Sequence, residues 1–464
     1  MFKYKRFFGL LLPLFIGLSG CSSESASEAN QDQPNVLILM ADEHVWDAFG
    51  AAGHPIVQTP NLDRLASRGA RFTVAYATWP ACVAARMSLL TGKYPTEIGV
   101  RGNNDNCDTI GSGYATFFSY HGYPTMVSGK MHFIGEDQFH GFDYRPIGDY
   151  NHSGWYVSDT TGNREPFDWL QADMDVHNME DRRPDSARPY DGPLEESLSW
   201  NITQRGLPWL DRESSWLAVF SYLQPHWPWQ PPQSYWDQYE GKGDLPRVRY
   251  EDIPEGLQSG ISRRTTDDWN VLTDDEIRRT RAAYYGMITF VDDQIGRILD
   301  ELENLGTLDN TIIVYTSDHG EMLGERGTWL KGNYFDPATR IPLLISYPSL
   351  IPEGTVVNTP VDLTDVFPTL ADLAGFSTPS DVSGESLVPL MRGDLSGCND
   401  WAASGYGDVG MVRQGDLKLI IPSPGADPWL FDLAEDPDEL KNLSRKPAYA
   451  EKLSELTHLL FSAW

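Results

Sequence analysis

The chain is short of cysteine, of basic residues and of long apolar runs. Its 464 residues include 4 cysteines; with Cys21 and Cys82 assigned below, Cys107 and Cys398 remain, either as a disulfide in an oxidising compartment or as two free thiols. Its 36 lysines and arginines face 66 acidic residues, and the net charge of −30 argues against nucleic acid or an anionic lipid surface as a partner. No later run approaches membrane-spanning length, so the sequence does not predict a chain that crosses a membrane.

The N-terminus has the pattern of a secretory targeting segment. Three basic residues precede an apolar run from Phe7 to Leu18, which is too short to span a bilayer. The run ends in Leu18-Ser19-Gly20-Cys21, which resembles the bacterial lipobox, whose cysteine is lipidated and becomes the mature N-terminus. We predict a lipoprotein signal peptide over residues 1–20, a lipid anchor at Cys21 and a polar tether over 21–34. The protein is then exported and membrane-anchored, facing the periplasm or the cell surface; the alternative is an ordinary signal peptide that contains a cysteine.

The rest of the chain is long enough for one large domain and a smaller one. We place an α/β domain over residues 35–395 and an antiparallel α+β subdomain over 396–464. In the second, the pattern predicts a hairpin turning at Gln414 to Asp416, a short strand over Trp429–Leu433 and a terminal helix over Ala448–Phe461.

Four apolar runs in the large domain have the pattern of parallel strands buried on both faces: residues 36–40, 124–128, 216–220 and 311–315. Each run leads into charged or imidazole side chains: Asp42 and Glu43, then Lys130 and His132, then His226, then Asp318 and His319. Because ligands of doubly wound folds bind beyond the carboxyl ends of the strands, we expect these side chains at one edge of the sheet. Helical patterns lie between the strands, including a capping box at Thr273–Glu276 whose helix carries an apolar stripe that we assign to the core.

A fifth segment brings a cysteine to a helix end. Cys82 precedes a short helical pattern, Arg86 follows four residues later, and Gly92 ends the pattern. Helical spacing puts Cys82 and Arg86 on one face, beside the unpaired N–H groups of the helix N-terminus, where an oxyanion binds readily. A lone cysteine in a helix is more often a small buried hydrophobe. A reactive role for Cys82 therefore depends on whether other anion- and metal-binding groups converge on it.

The collected residues suit the hydrolysis of a tetrahedral oxyanion ester. Carboxylate oxygens favour Ca²⁺, Mg²⁺ or Mn²⁺, and the imidazole of His319 moves the preference toward Mn²⁺. Arg86, Lys130 and Lys331 supply positive charge for the anion, and a histidine can protonate the leaving oxygen. Cys82 is the side chain placed to act as the nucleophile.

Five motifs, in order, resemble those of the sulfatase family. Residues 82–92 read Cys-Val-Ala-Ala-Arg-Met-Ser-Leu-Leu-Thr-Gly, similar to the sulfatase signature; the other four motifs lie at residues 35–42, 129–132, 225–226 and 316–320. The resemblance implies the alkaline-phosphatase-like α/β fold, a mostly parallel sheet with helices on both faces. It also implies that a maturation enzyme oxidises Cys82 to formylglycine, which is hydrated to a geminal diol.

The resemblance also implies a role for each site residue. Five would ligate a divalent metal, with Ca²⁺ first and Mn²⁺ or Mg²⁺ as alternatives: Asp42, Glu43, Cys82, Asp318 and His319. Six would act in catalysis: Cys82, Arg86, Lys130, His132, His226 and Lys331. A diol hydroxyl at position 82 attacks sulfur, His226 with Lys331 assists the departing alcohol, and His132 deprotonates the other hydroxyl, which expels sulfate. Arg86 orients the diol, and Lys130 binds the nucleophile and the sulfate.

The chain departs from the family pattern at four positions. Ala84 and Ala85 replace the usual proline and serine, Glu43 replaces a second aspartate, and His319 replaces the asparagine common in arylsulfatases. The Asp-His pair looks more like choline sulfatases, iduronate-type sulfatases and phosphonate monoester hydrolases. We therefore predict a hydrolase of sulfate esters on a sulfated saccharide. The alternatives are a phosphonate or phosphate diester hydrolase, a choline-sulfatase-like enzyme, and an inactive saccharide-binding lipoprotein.

Overall fold

A computed structural model describes residues 33–148, 183–258, 272–396, 398–406 and 409–462, and the backbone of two short strands at 156–158 and 164–166. The predicted signal peptide, the lipid anchor at Cys21 and nearly all of the tether lie outside the described residues. Within the described part, no helix is both long and apolar enough to cross a membrane. The described cysteines, Cys82, Cys107 and Cys398, are free thiols, which decides between the two alternatives for Cys107 and Cys398.

One large sheet organises the N-terminal domain. Its strands are β1 (Asn35–Ala41), β2 (Ala70–Tyr76), β3 (Thr125–Gly129), β6 (Leu217–Ser221), β7 (Thr311–Ser317), β8 (Arg340–Ser346), β9 (Thr355–Val357) and β10 (Val361–Asp362). The order is β10-β2-β8-β7-β1-β6-β3, with β9 also paired to β2. Only β8 runs against its neighbours in this sheet; the other pairs are parallel. The mostly parallel sheet and the four predicted strands are confirmed.

Helices cover both faces of this sheet, and the last helix of the chain packs on the C-terminal sheet described below. The helices are α1 (Pro60–Ser67), α2 (Cys82–Thr91), α3 (Tyr114–Tyr120), α4 (Leu198–Gly206), α5 (Gln233–Tyr239), α6 (Glu255–Gln258), α7 (Asp274–Asn304), α8 (Asp336–Thr339), α9 (Val366–Leu373), α10 (Val388–Met391) and α11 (Ala450–Ser462). Alternate residues of β1 enter two separate cores: Leu37 and Leu39 pack with α1 and α7, whereas Val36 and Ile38 pack with α2, α3 and α9. A strand that is buried on both faces must be apolar throughout, and this explains the continuous run in the sequence.

The long helix α7 begins and ends as predicted. The Thr273 hydroxyl accepts a hydrogen bond from the Glu276 N–H, and the Glu276 carboxylate accepts one from the Thr273 N–H. The apolar stripe from Ile288 to Leu302 lies in the core, and Gly306, at φ +69°, follows the helix end. Helices α4 and α5 fall in stretches that have little periodicity in the sequence, and both pack against the domain.

A second sheet lies near the C-terminus. Strands β11 (Trp401–Tyr406), β12 (Val409–Gln414), β13 (Leu417–Ile421) and β14 (Trp429–Asp432) form an antiparallel sheet in that order. The hairpin turns between Gln414 and Leu417, and α11 packs its buried Leu456 and Leu460 against β12 and β13. The predicted antiparallel α+β arrangement is confirmed. A separate two-stranded pair joins β4 (Tyr156–Ser158) to β5 (Arg164–Pro166).

Candidate active site

The carboxyl ends of β1, β3, β6 and β7 converge on the N-terminus of α2, and Arg86 connects them. Arg86 is fully buried. Its Nη2 lies 2.7 Å from Asp42 Oδ2 and its Nε 2.8 Å from Asp318 Oδ2. Its Nη1 donates to the Lys130 carbonyl oxygen at 2.5 Å and to Ser221 Oγ at 2.9 Å. One guanidinium thus ties the ends of four strands to α2, as the shared edge predicts.

Cys82 is the first residue of α2, and its side chain is buried. His319 Nε2 lies 3.2 Å from Cys82 Sγ. Asn103 contacts the same sulfur from the other side, with Nδ2 at 4.0 Å, and its Oδ1 accepts a hydrogen bond from the Val83 N–H at 3.1 Å. Asn103 therefore satisfies one of the free N–H groups of the helix and faces the nucleophile position.

Four predicted ligands form a group that could hold a cation. One ligand atom each from Asp42, Cys82, Asp318 and His319 lies within 4.8 Å of all the others, and all four residues are buried. Asp42 Oδ1 is buried and has no hydrogen-bond partner among the described residues. A buried carboxylate oxygen without a partner costs about 1–3 kcal/mol or more, and a hard divalent cation suits such an oxygen. The donor set therefore fits the predicted metal.

Glu43 lies apart from that group. Its Oε1 contacts Lys331 Nζ and lies 3.4 Å from His226 Nε2, while its Oε2 is buried with no partner among the described residues. Together with Asp42 and His226 it forms a second, overlapping group of potential ligands. The prediction that Glu43 ligates the metal stays a prediction.

Two further predicted residues, Lys130 and His226, contact carboxylates of the site, and no hydrogen bond or ion pair among the described residues joins His132 to them. Lys130 Nζ is 2.5 Å from Asp42 Oδ2. His226 is held by a 2.5 Å hydrogen bond between its Nδ1 and the Trp227 carbonyl oxygen, which leaves Nε2 to face the site. His132, two residues beyond Lys130, is half-buried, and its Nδ1 has no hydrogen-bond partner in the described part of the chain.

Burial and the close cations shift the proton affinities of the carboxyls and the thiol. Burial opposes ionisation of Asp42, but Lys130, His226 and Arg86 outweigh it and hold the pKa well below its usual value. Burial also opposes the Cys82 thiolate, but Lys130, Lys331 and His319 bring the pKa of the thiol well below its usual value. These two shifts favour the negative charge at Asp42 and Cys82. Burial instead raises the pKa of Glu43 well above its usual value and also raises that of Asp318.

The two histidines respond in opposite directions. Burial, Lys331 and Lys130 lower the pKa of His226 well below its usual value. Burial also opposes the charged form of His319, yet Asp318 and Cys82 raise its pKa to about 9. A metal that binds His319 must therefore displace a proton.

Several residues at the site were not predicted. Asn103 contacts Cys82, Ser221 supports Arg86, and Tyr284 supports the backbone of Glu43. Glu321 is fully buried; its Oε1 accepts hydrogen bonds from the N–H groups of Leu323 at 3.2 Å and Leu330 at 2.5 Å. The sequence carries a signal only for Glu321, which follows the Asp318-His319-Gly320 motif directly.

Comparison with known proteins decides the family. A family model described as Sulfatase matches residues 34–376, and a second, described as N-sulphoglucosamine sulphohydrolase, C-terminal, matches residues 324–463. The chain belongs to the sulfatase family. This sulfatase is accordingly a sulfuric ester hydrolase, and the predicted resemblance to the sulfatase family is confirmed.

Three relatives indicate how the sulfatase compares with proteins of known name. It is 34% identical over 438 residues to choline-sulfatase of Rhizobium meliloti, covering 89% of this chain and 83% of the relative. It is 29% identical over 529 residues to N-acetylglucosamine-6-O-sulfatase of Bacteroides thetaiotaomicron, covering 97% and 89%. The crystal structure of phosphonate monoester hydrolase of Agrobacterium radiobacter superposes with a TM-score of 0.78 at 25% identity, covering 93% and 95%. The alkaline-phosphatase-like fold class is thereby confirmed.

Proposed function

We propose that this sulfatase removes sulfate from a sulfated saccharide, with a formylglycine hydrate at position 82 as the nucleophile. The observation that carries the proposal is the convergence of Arg86, Lys130 and Lys331 on Cys82 at the N-terminus of α2. These three cations lie together in one pocket of a chain of net charge −30. Such a pocket stabilises the negative charge that builds up on a sulfuryl group in the transition state.

The four-residue group of Asp42, Cys82, Asp318 and His319 would hold one divalent cation, with Ca²⁺ first and Mn²⁺ or Mg²⁺ as alternatives. Bound there, the cation supplies Lewis acidity that lowers the pKa of the attacking hydroxyl. Glu43 remains a proposed fifth ligand through its buried Oε2, while its Oε1 contacts Lys331 and His226.

The protein side chains divide the remaining work. The thiol of Cys82 stands where the aldehyde hydrate forms after oxidation; one hydroxyl of that diol attacks sulfur, and the bond from sulfur to the sugar oxygen breaks. His226 Nε2 gives its proton to that oxygen, and the approach of the anionic ester favours the protonated imidazole. Burial opposes the charge of Lys331, but Cys82 and Glu43 raise its pKa further above the usual value, so Lys331 acts as a fixed charge. His132 then takes the proton of the second hydroxyl, sulfate departs, and the aldehyde is restored.

The substrate class rests on the relatives and on the N-terminus. A relative named N-acetylglucosamine-6-O-sulfatase matches almost the whole chain, and a lipid anchor at Cys21 on an exported protein suits a saccharide that comes from outside the cell. We propose that the protein is anchored through Cys21 and faces the periplasm or the cell surface. We also propose that a formylglycine-generating enzyme is its maturation partner.

A second candidate is the hydrolysis of a phosphonate or phosphate diester. The structural similarity to a phosphonate monoester hydrolase and the Asp318-His319 pair favour it. A third, choline sulfate, has support from the relative that is 34% identical.

A substrate panel tests these alternatives. Enzyme from a host that makes formylglycine would be assayed on defined sulfated oligosaccharides, choline sulfate, an aryl sulfate and an aryl phosphonate, with peptide mass analysis around position 82. We expect the highest kcat/KM on a sulfated saccharide and an aldehyde at position 82. A strong preference for the phosphonate would overturn the sulfate assignment, and an unmodified thiol with saccharide binding intact would favour an inactive binding protein.

A further inference from the structure

The turn that follows β1 carries two carboxylates of the site in a strained backbone. Glu43 has a φ of +64°, a left-handed backbone conformation that is unfavourable for a residue with a side chain and persists only when its surroundings enforce it. Asp42 and Glu43 point from this turn in two directions: Asp42 contacts Arg86 and Lys130, and Glu43 contacts Lys331 and His226. The path of this turn therefore places both sets of contacts.

One tyrosine hydroxyl bridges the turn. The Tyr284 hydroxyl donates a hydrogen bond to the Glu43 carbonyl oxygen and accepts one from the Val45 N–H at 2.9 Å. Glu43 and Val45 are two residues apart, so a single oxygen atom closes the turn across its ends. Tyr284 is fully buried, so bulk solvent does not reach its hydroxyl group.

The other side of the turn is attached to β7. The Glu43 N–H donates to Asp318 Oδ1 at 3.2 Å, and the His44 N–H donates to Ser317 Oγ at 2.9 Å. These two bonds set the turn against the strand that carries Asp318, but they do not reach the Glu43 carbonyl oxygen or the Val45 N–H. Tyr284 supplies both of those partners from helix α7, which otherwise packs its stripe into the core.

We infer that Tyr284 is a positioning residue of this sulfatase: its hydroxyl holds the Glu43 turn, and through it keeps Asp42 in the cation-binding group and Glu43 on Lys331 and His226. Tyr284 touches neither the substrate nor the reacting atoms. The inference rests on the proposed function for its consequence in catalysis, but its consequence for cation binding can be measured by itself.

The test compares Tyr284→Phe with Tyr239→Phe. Tyr239 is also buried, its hydroxyl also accepts a backbone hydrogen bond, from the Gln58 N–H at 2.9 Å, and it contacts no predicted site residue. Loss of a partner that orients a ligand typically weakens metal affinity or activity about 10- to 100-fold. We expect Tyr284→Phe to raise the Kd for Ca²⁺ in calorimetric titration by about that factor and to lower kcat with little change in KM. Tyr239→Phe should leave both values within about twofold of the wild type.

The outcomes separate this inference from the proposed function. Equal Ca²⁺ affinity in the wild type and Tyr284→Phe would overturn the inference, as would an equal loss in Tyr239→Phe. A wild type that binds Ca²⁺ but cleaves no sulfate ester would overturn the proposed function alone, because the titration counts bound ions and not product. A wild type that binds no divalent cation would overturn both.

Discussion

This sulfatase contains two clusters of ion-paired Asp, Glu, Lys and Arg side chains, one at the active site and one away from it. The active-site cluster consists of Asp42, Glu43, Arg86, Lys130, Asp318 and Lys331. The seam cluster, where β12 and β13 meet α8 and the first residue of β8, consists of Asp336, Arg340, Arg413, Lys418 and Glu439. Both hold carboxylates against lysine and arginine at distances of a direct ion pair.

The two clusters differ in what remains unpaired. In the seam, Lys418 Nζ lies 2.6 Å from Asp336 Oδ1 and 2.8 Å from Glu439 Oε1, and Arg340 Nη1 lies 3.2 Å from Asp336 Oδ2. The Tyr76 hydroxyl adds a hydrogen bond to Asp336 at 2.7 Å. Glu439 Oε1 makes no hydrogen bond, but its ion pair with Lys418 gives it a direct cationic partner. In the active-site cluster, Asp42 Oδ1 and Glu43 Oε2 are buried with no hydrogen-bond partner among the described residues, and the ion pairs of both carboxylates run through their other oxygens. Each carboxylate oxygen named in the seam thus has a partner within the protein, whereas the reaction site keeps two oxygens that a bound ligand can satisfy.

The largest expected effect is the loss of turnover when Cys82 is replaced, a change that leaves the charged side chains of the active-site cluster in place. Cys82→Ala should lower kcat/KM about 10⁴-fold or more, the scale of losing a nucleophile, because it removes the group from which the nucleophile is made. Its melting temperature should stay near that of the wild type, since alanine removes one buried sulfur atom. Turnover on an aryl sulfate measures the loss of activity, and a thermal melt measures the stability. Cys107→Ala, which removes another buried thiol, is the control and should keep its activity. Unchanged turnover in Cys82→Ala would refute the mechanism.

A smaller effect sharpens the role of one histidine in that cluster. His226→Ala should reduce kcat about 10²- to 10⁴-fold on an alkyl or sugar sulfate, whose leaving oxygen needs a proton. On an aryl sulfate with a good leaving group the loss should be much smaller. The measurement is kcat over a series of leaving groups, and equal losses along the series would assign His226 to another task.

The seam cluster should respond in stability and not in chemistry. Asp336→Asn removes a partner of Lys418, Arg340 and Arg413 at once, and breaking a buried pair typically costs about 3–5 kcal/mol. Denaturant unfolding should show that loss, while kcat of the folded variant stays close to that of the wild type. Asp300→Asn, which breaks an exposed pair with Arg64, is the control and should change the unfolding free energy by about 0.5 kcal/mol or less. A loss of kcat without a loss of stability would mean that the seam belongs to the site.

The sequence predicts the active-site cluster far better than the seam. Each strand that builds the site is a continuous apolar run followed at once by its functional side chain, so the shared edge of a parallel sheet is enough to bring Asp42, Lys130 and Asp318 together. No such rule applies to the seam, because Lys418 and Asp336 are 82 residues apart and lie in a strand of the second sheet and in a short helix. Both clusters contain ordinary Asp, Glu, Lys and Arg, and composition does not distinguish them.

The same reasoning explains the residues that sequence reasoning missed at the site itself. Tyr284 reaches Glu43 across 241 positions, from a helix whose pattern indicates only core packing. Asn103 lies in a loop between α2 and α3 with no periodic pattern. The position of Glu43 directly after a strand predicts where its carboxylate lies but not which side chain it contacts. Its contact with Lys331 depends on a loop whose Leu330 N–H donates a hydrogen bond to the Glu321 carboxylate.

The smallest expected effect is the loss of stability at acid pH that comes from Asp336 of the seam cluster. Burial opposes ionisation of Asp336, but Lys418, Arg340 and Arg413 outweigh it and hold its pKa below the usual value of 3.8. A carboxyl with a depressed folded-state pKa stabilises the fold above its unfolded pKa, and that stability is lost as the pH falls through the folded pKa. The difference in unfolding free energy between the wild type and Asp336→Asn should therefore be constant from about pH 7 to pH 5 and shrink below about pH 4. Urea unfolding of both proteins at each pH measures it, and a difference that grows in acid would mean that burial, and not the three cations, controls Asp336.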